Sequence, residues 1–283
     1  AAELGIPAGT MVVTGCADQP AQAVGNGLIR PGLASVTTGS GGQVFIPIAR
    51  TPGQDLPTDP RLHVFNHAAP DLWYILGAIL SAGLSLRWLR DLTGLASVPD
   101  AYSILSAEAA AVPAGAGGLI FLPYLTGERT PHMDALARGA FIGLSAHHTR
   151  GHLARAVMEG VSFALRQPWE ISRGLGASAS TIIAAGGAAE SDVWRSIQAD
   201  VFGLPLQRTR LKEQAGVGAS LLAGVGAGVY RDLDDACART VQPGPVTEPD
   251  PQRHARYDAL YHHFLELYPR LKEDFARLSA AST

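Results

Sequence analysis

Asp18 is the residue in this sequence best placed to do chemistry. An apolar run ends at Gly15 and delivers Asp18 to the end of an expected strand, after which Gln19 to Asn26 has the pattern of a short helix. A carboxylate at such a position can accept a proton from a substrate. A turn at Arg30-Pro31-Gly32 follows, then a β-prone run from Leu33 to Thr38, the corner Gly39-Ser40-Gly41-Gly42, and a second run from Gln43 to Ile46. That is the pattern of a hairpin with a glycine-rich tip. Such a tip has no Cβ atoms to keep a ligand away, and its backbone N–H groups can converge on an anion such as a phosphate. Asp18 can equally be a helix cap and the glycines a tight turn, and spacing alone leaves both readings open.

A second candidate lies far along the chain. The expected strand Thr181 to Ala185 ends at Gly186-Gly187-Ala188, and a helix opens near Ser191 and runs to Phe202. Strand, glycine pair and helix start together let a ligand approach free N–H groups, although a glycine pair serving only close packing has the same pattern. The loop within Pro123 to Ser145 holds Glu128, Arg129, His132, Asp134 and Arg138, whose alternating signs favour a local salt-bridged loop over catalysis. His132 has no second His or Cys at ligand spacing. His147, His148 and His152 stand at the start of an expected helix, Thr149 to Leu175, with Thr149 as N-cap, and read as solvated.

These residues must be positioned by a large framework. The chain has 283 residues, 47% apolar and 17% charged, with a net charge of −3. That charge gives no field for nucleic acid or an anionic membrane, and no apolar run is long enough to span a bilayer. A cytoplasmic protein is expected, with Cys16, inside an apolar strand, and Cys237 both reduced core residues. Neither Lys212 nor Lys272 stands in a P-loop pattern. After the hairpin, Pro47 to Pro60 reads as a loop and Leu62 to Phe65 as a short strand. Trp73 to Asp91 and Pro99 to Val112 show helical spacing, and Pro113 to Gly118 reads as a flexible, exposed break. Leu119 to Leu122, Ala140 to Leu144 and Leu204 to Arg208 read as strands. Gln214 to Val229 is expected as a core helix rich in Ala and Gly, and Asp232 to Thr240 as a short helix. Gln242 to Pro251 reads as a linker and His254 to Leu278 as an amphipathic helix. Strands that cluster early and then alternate with helices indicate an α/β domain with a mixed sheet.

Taken together the motifs resemble those of the FGGY carbohydrate kinases. GAFIGLSAHHTRGHLARAVME, Gly139 to Glu159, is similar to the second signature of that family. PYLTGERTPHMDALARG resembles the loop before it, GCADQPAQAVGNG the segment with the catalytic aspartate, SVTTGSGGQVF the second phosphate motif, and AAGGAAESDVWRSIQADVFG the adenosine motif. The resemblance implies an actin-like (ribonuclease H-like) ATPase domain, a mixed sheet flanked by helices, with residues 1–283 as the C-terminal, nucleotide-binding domain. The family's Asp-x-Gly-Thr motif does not occur here, so the sugar-binding N-terminal half is expected to be missing, and AAELGIPAGT resembles the crossover between the halves. It further implies ATP or ADP with Mg²⁺ as cofactors and a ketose substrate, D-xylulose foremost, with another sugar such as ribulose, gluconate or glycerol as the alternative. Asp18 would be the general base, with Gln19 beside it at the substrate. Gly39, Ser40 and Gly41 would hold phosphates, and Gly186, Gly187, Ala188, Ser191 and more weakly Gly127 would line the adenosine pocket. Most metal-binding carboxylates would lie on the other half. The sequence departs from the family at Cys16 and Ala17 where glycines are usual, at Pro20 where alanine is usual, and at Ser40 where threonine is usual. A nucleotide-binding or oligomerisation module without chemistry of its own, a homodimer included, is the second reading.

Overall fold

The structure, a computed structural model, describes residues 3, 5–53 and 55–281. Ala1, Ala2 and Leu4 of the expected crossover lie outside the described residues. The chain runs α1 (Asp18–Gly25), β1 (Gly32–Thr38), β2 (Gly42–Ala49), β3 (His63–Asn66), β4 (Leu72–Ile79), α2 (Gly83–Leu92), α3 (Ala101–Ala110), β5 (Ile120–Leu122) and β6 (Ala140–Ile142). It continues with α4 (Arg150–Gly174), β7 (Ala179–Ala185), α5 (Asp192–Phe202), β8 (Leu206–Thr209), α6 (Gln214–Gly226), α7 (Leu233–Thr240), β9 (Pro243–Thr247) and α8 (Pro251–Ala280). Seven strands form one sheet in the order β3-β4-β2-β1-β7-β8-β9, and β5 pairs with β6 apart from it. β7 is parallel to β1 and to β8, and the remaining pairs are antiparallel. This is the expected mixed sheet flanked by helices.

α4 is the core of the molecule. Ala154 to Trp169 are buried without a break, which marks a helix covered on every side rather than an amphipathic one. It contacts β2, β4, β5, α2, α3, α5 and α8. Small residues at the contacts allow this: a side chain at Gly160 would overlap the Phe121 carbonyl, and one at Gly77 would overlap Pro168.

Several expectations are corrected. Trp73 to Asp91 is not one helix. Its first part is β4, paired over its full length with β2 and also with β3, and α2 starts only after Ser81-Ala82. Aromatic and β-branched residues with two strand neighbours outweigh the helical spacing. The run before Asp18 forms no strand: Met11 and Val12 are 63% and 89% exposed, and Cys16 is exposed as well, whereas Cys237 is buried. An apolar run without a strand to pair with gains nothing from extension. The break at Pro113 to Gly118 is partly buried, with Ala116 fully inaccessible. The Pro-rich linker contains β9, at the sheet edge, where a proline's missing N–H does little harm. α6 is half exposed, burying Gln214, Gly218 and Leu221, so it is not wholly core. Gly25 of α1 and Gly218 of α6 each lie where a side chain would overlap the other helix's backbone.

Candidate functional site

Two strand ends and two glycine turns meet at one edge of the sheet. β1 ends at Thr38 and turns through Gly39-Ser40-Gly41 into β2, with Thr38 paired to Gly42. β7 lies parallel beside β1, with Thr37 opposite Ala185, so Gly186 emerges at the same edge. A Cβ at Gly186 would stand 2.6 Å from the Thr38 carbonyl oxygen, and φ is +80°, so glycine is what lets the two loops touch. α2 begins there too. The Gly39 carbonyl accepts from the Gly83 N–H at 2.8 Å, and the Ser40 carbonyl accepts from the N–H groups of Ala82 and Leu84 at 2.9 and 3.0 Å. From below, the Gln198 amide donates to the Thr38 hydroxyl at 2.9 Å and braces β1 against α5.

A cavity of about 490 Å³ opens between the loops, with Thr38, Gly39 and Ser40 on one side and Gly187, Ala188 and Ser191 on the other. Sequence reasoning did not find the rest of its wall, which α2, α3 and α5 supply as Leu86, Arg87, Tyr102, Ser106 and Trp194. The Ser191 hydroxyl accepts from the Trp194 N–H at 3.3 Å, so Ser191 is also the cap of α5. Trp194 is 3% exposed, and its buried indole N–H has no acceptor among the described residues. Leu86, Tyr102 and Trp194 give the cavity an apolar wall that suits a flat aromatic ring. A Cβ on Gly187 would have nothing within 4 Å, so its backbone faces open space.

On the other flank of the tip lies a second cavity of about 350 Å³, sharing Gly39 and adding Gln19, Gln22, Gly41, Gln43 and Arg129. The Gln43 amide donates to Gln19 and, at 3.2 Å, to Gln22. Asp18 lies next to this cavity, exposed at the start of α1, and its carboxylate accepts from the Gln19 N–H at 2.9 Å. Burial and then the nearby charge of Asp18 push the Tyr74 hydroxyl's pKa up, so the carboxylate is within electrostatic reach of that ring. Gly127 lines neither cavity. Its φ is +83° and its Cα side packs against the Ala135 backbone, so it shapes the loop that carries Arg129.

Comparison with known proteins shows the family. Residues 34–227 match the model of the FGGY family of carbohydrate kinases, C-terminal domain. The chain belongs to the FGGY family of carbohydrate kinases. Xylulose kinase of Staphylococcus epidermidis is 35% identical over 274 residues, covering 96% of this chain and 54% of that protein. Xylulose kinase of Rhodospirillum rubrum superposes with a TM-score of 0.87 at 37% identity, covering 97% of this chain and 54% of that one. Glycerol kinase of Plasmodium falciparum, solved with ADP, has a TM-score of 0.74 at 21% identity over 88% of this chain and 49% of that one, a likeness of fold. These neighbours share the actin-like ATPase fold, and this FGGY chain spans about half the length of the curated relatives it matches.

Departures from the family pattern are mild within this FGGY fold. Ala17 is extended, at φ −62° and ψ 163°, where any residue fits, and Pro20 stands in the first turn of α1, where its missing N–H costs no helical bond. Among the described residues the charged loop makes no ion pair. The Glu128 carboxylate accepts from the N–H groups of Leu80 and Arg129 at 3.0 and 2.7 Å, the Tyr268 hydroxyl donates to Asp134 at 2.6 Å, and Arg138 donates to backbone carbonyls. His132 stacks on Tyr268 at 3.6 Å with Nε2 3.1 Å from the Tyr124 hydroxyl, and burial lowers its pKa to about 4. It is a neutral packing residue. His147, His148 and His152 sit together with ring centroids 4.2 to 6.0 Å apart, each Nδ1 taken by Ser145 or Thr149. Among the described residues no group of three His, Cys, Asp or Glu could hold a metal ion.

Burial pushes the Glu128 pKa up to about 8, against the pull of its two backbone N–H donors. The folded chain therefore keeps a proton that the unfolded chain releases from about pH 4.3 upward. Stability from this group is complete below that pH and is lost as pH rises through about 8, by up to about 1.4 kcal/mol per pH unit crossed. Glu128→Gln is expected to flatten the stability profile between pH 5 and 9 and to exceed wild type at pH 9, read from denaturant midpoints. Parallel profiles for the two proteins would contradict it.

Proposed function

We propose that this chain is the nucleotide-binding half of an ATP-dependent sugar kinase of the cytoplasm, phosphorylating a ketose with D-xylulose as the leading substrate. The observation that carries the reading is the meeting of the Gly39 tip and the Gly187-Ala188 turn around one cavity, with the glutamine-lined cavity and Asp18 on the other side of the tip. Adenosine would occupy the first cavity, the phosphates would cross the tip, and the acceptor hydroxyl would approach beside Asp18. In the transfer, the acceptor oxygen bonds to the γ-phosphorus as the bond from that phosphorus to the bridging oxygen of ADP breaks, and the hydroxyl proton passes to Asp18. Magnesium bound chiefly through phosphate oxygens would supply further charge neutralisation. The xylulose kinase relatives support the substrate class. The exposure of Asp18 supports a second half that closes over the groove and excludes water. It also favours the second reading for this polypeptide by itself, which is a nucleotide-binding module without turnover.

The test is ADP binding by this chain. Binding is expected to be weak, with Kd on the order of 1 mM, and to change tryptophan fluorescence through Trp194. Trp194→Phe should remove most of the signal while calorimetry still detects the ligand. Folded chain that gives neither heat nor fluorescence change at several millimolar ADP would overturn the nucleotide reading.

A further inference from the structure

We propose that Arg129 is the cation that receives the terminal phosphoryl group of the nucleotide on the acceptor side of the glycine tip. The inference rests on the nucleotide reading above and assigns a residue to it. Gly39 belongs to both cavities, so a chain of phosphates leaving the first one past Gly39 enters the second. Within the second cavity Arg129 is the charged side chain. The other polar lining groups are the amides of Gln19, Gln22 and Gln43 and the Thr37 hydroxyl, which is buried with no hydrogen-bond partner among the described residues. Amides and hydroxyls stabilise a phosphate weakly, whereas a guanidinium matches its charge and can bind it through two N–H groups.

The site is built rather than incidental. The Arg129 N–H donates to the Glu128 carboxylate at 2.7 Å, and the next residue is tied down on three sides. The Thr130 N–H donates to the Ala78 carbonyl at 2.9 Å, the Ala78 N–H donates to the Thr130 hydroxyl at 3.2 Å, and that hydroxyl donates to the Arg61 carbonyl at 3.0 Å. With its backbone anchored to β4 beside the tip, the Arg129 side chain makes no ion pair among the described residues. The neighbouring carboxylate does not neutralise it, because burial keeps Glu128 largely protonated near neutral pH. An anchored, uncompensated cation beside a phosphate-sized, amide-lined space is what a phosphoryl group requires.

The experiment compares ADP with a β,γ-methylene analogue of ATP on this chain, wild type and Arg129→Met, by calorimetry at fixed ionic strength. Wild type is expected to bind the triphosphate more tightly than ADP. Arg129→Met should weaken the triphosphate by about tenfold, the loss of a charge-assisted contact, while leaving ADP within about twofold, and Arg129→Lys should recover part of the difference. If Arg129→Met weakens both ligands equally, or neither, the assignment of Arg129 is overturned while the nucleotide reading stands. If wild type binds neither ligand, the nucleotide reading falls and the assignment falls with it.

Discussion

On the proposed reading, Asp18→Asn in a kinase that carries both halves is expected to lower kcat at saturating sugar by about 10²- to 10⁴-fold, the usual worth of general-base catalysis, while ADP affinity stays nearly unchanged. Asparagine has almost the shape of aspartate and can keep the bond from the Gln19 N–H, so the substitution removes proton acceptance without opening a cavity. Nucleotide binding should survive because the loops around the first cavity are made by other residues. Asparagine also weakens any charge-assisted hydrogen bond to the sugar, so KM should rise as kcat falls. The measurement is therefore kcat at saturating sugar, beside ADP binding and a melting curve for each protein. A variant that turns over within a few-fold of wild type would make Asp18 a helix-start residue only and would place the base elsewhere.

The largest loss of stability is expected at Glu159, in the middle of α4. Its carboxylate accepts from Arg155 Nε at 2.8 Å, from the Tyr257 hydroxyl at 2.7 Å and from the Gly115 N–H at 2.9 Å, and so ties α4 to α8 and to the turn after α3. Arg155 also donates to the Tyr257 hydroxyl at 2.7 Å and to the Ala109 carbonyl at 3.2 Å. Glu159 is 2% exposed and Arg155 7%. Glu159→Ala leaves a buried guanidinium without its counter-charge, and removal of one partner from a buried pair typically costs about 3–5 kcal/mol. For a domain of this size that lowers Tm by on the order of 10 °C. The double substitution Glu159→Ala with Arg155→Met should recover part of the loss, since no uncompensated charge remains. A single variant that melts within about 2 °C of wild type would show that the network is relaxed by water, not locked as a unit.

The sequence by itself determined the features that rest on local chemistry. Glycines and β-prone residues in Leu33 to Ile46 specify a hairpin whatever surrounds it, and β1 and β2 form there. The N-cap at Thr149 marks the start of α4, and the aromatic stripe through Tyr257, Tyr261 and Phe264 specifies the buried face of α8. The strand, glycine pair and helix around Gly186 were legible for the same reason, as was a mixed sheet, and the FGGY motifs carried the family. Elements whose state depends on distant partners were not legible. Leu72 to Ile79 has helical spacing yet becomes β4 because β2 and β3 offer hydrogen bonds on both sides, and the run before Asp18 stays coil because no such neighbour exists among the described residues. The candidate site divides in the same way. Gly39, Ser40, Gly187, Ala188 and Ser191 were readable as motif residues, but their meeting depends on the parallel pairing of β1 with β7 across about 150 residues of chain and on the absence of a side chain at Gly186. Arg87 carries no local signal, Trp194 stands in the adenosine-like motif without a role assigned to it, and Arg129 stands out only as part of a charged loop. The fold brings them to the groove by packing α2 and α5 beside the tip and by anchoring the Glu128 loop to β4, and tertiary contacts of that kind are set by burial and hydrogen-bond satisfaction over the whole chain.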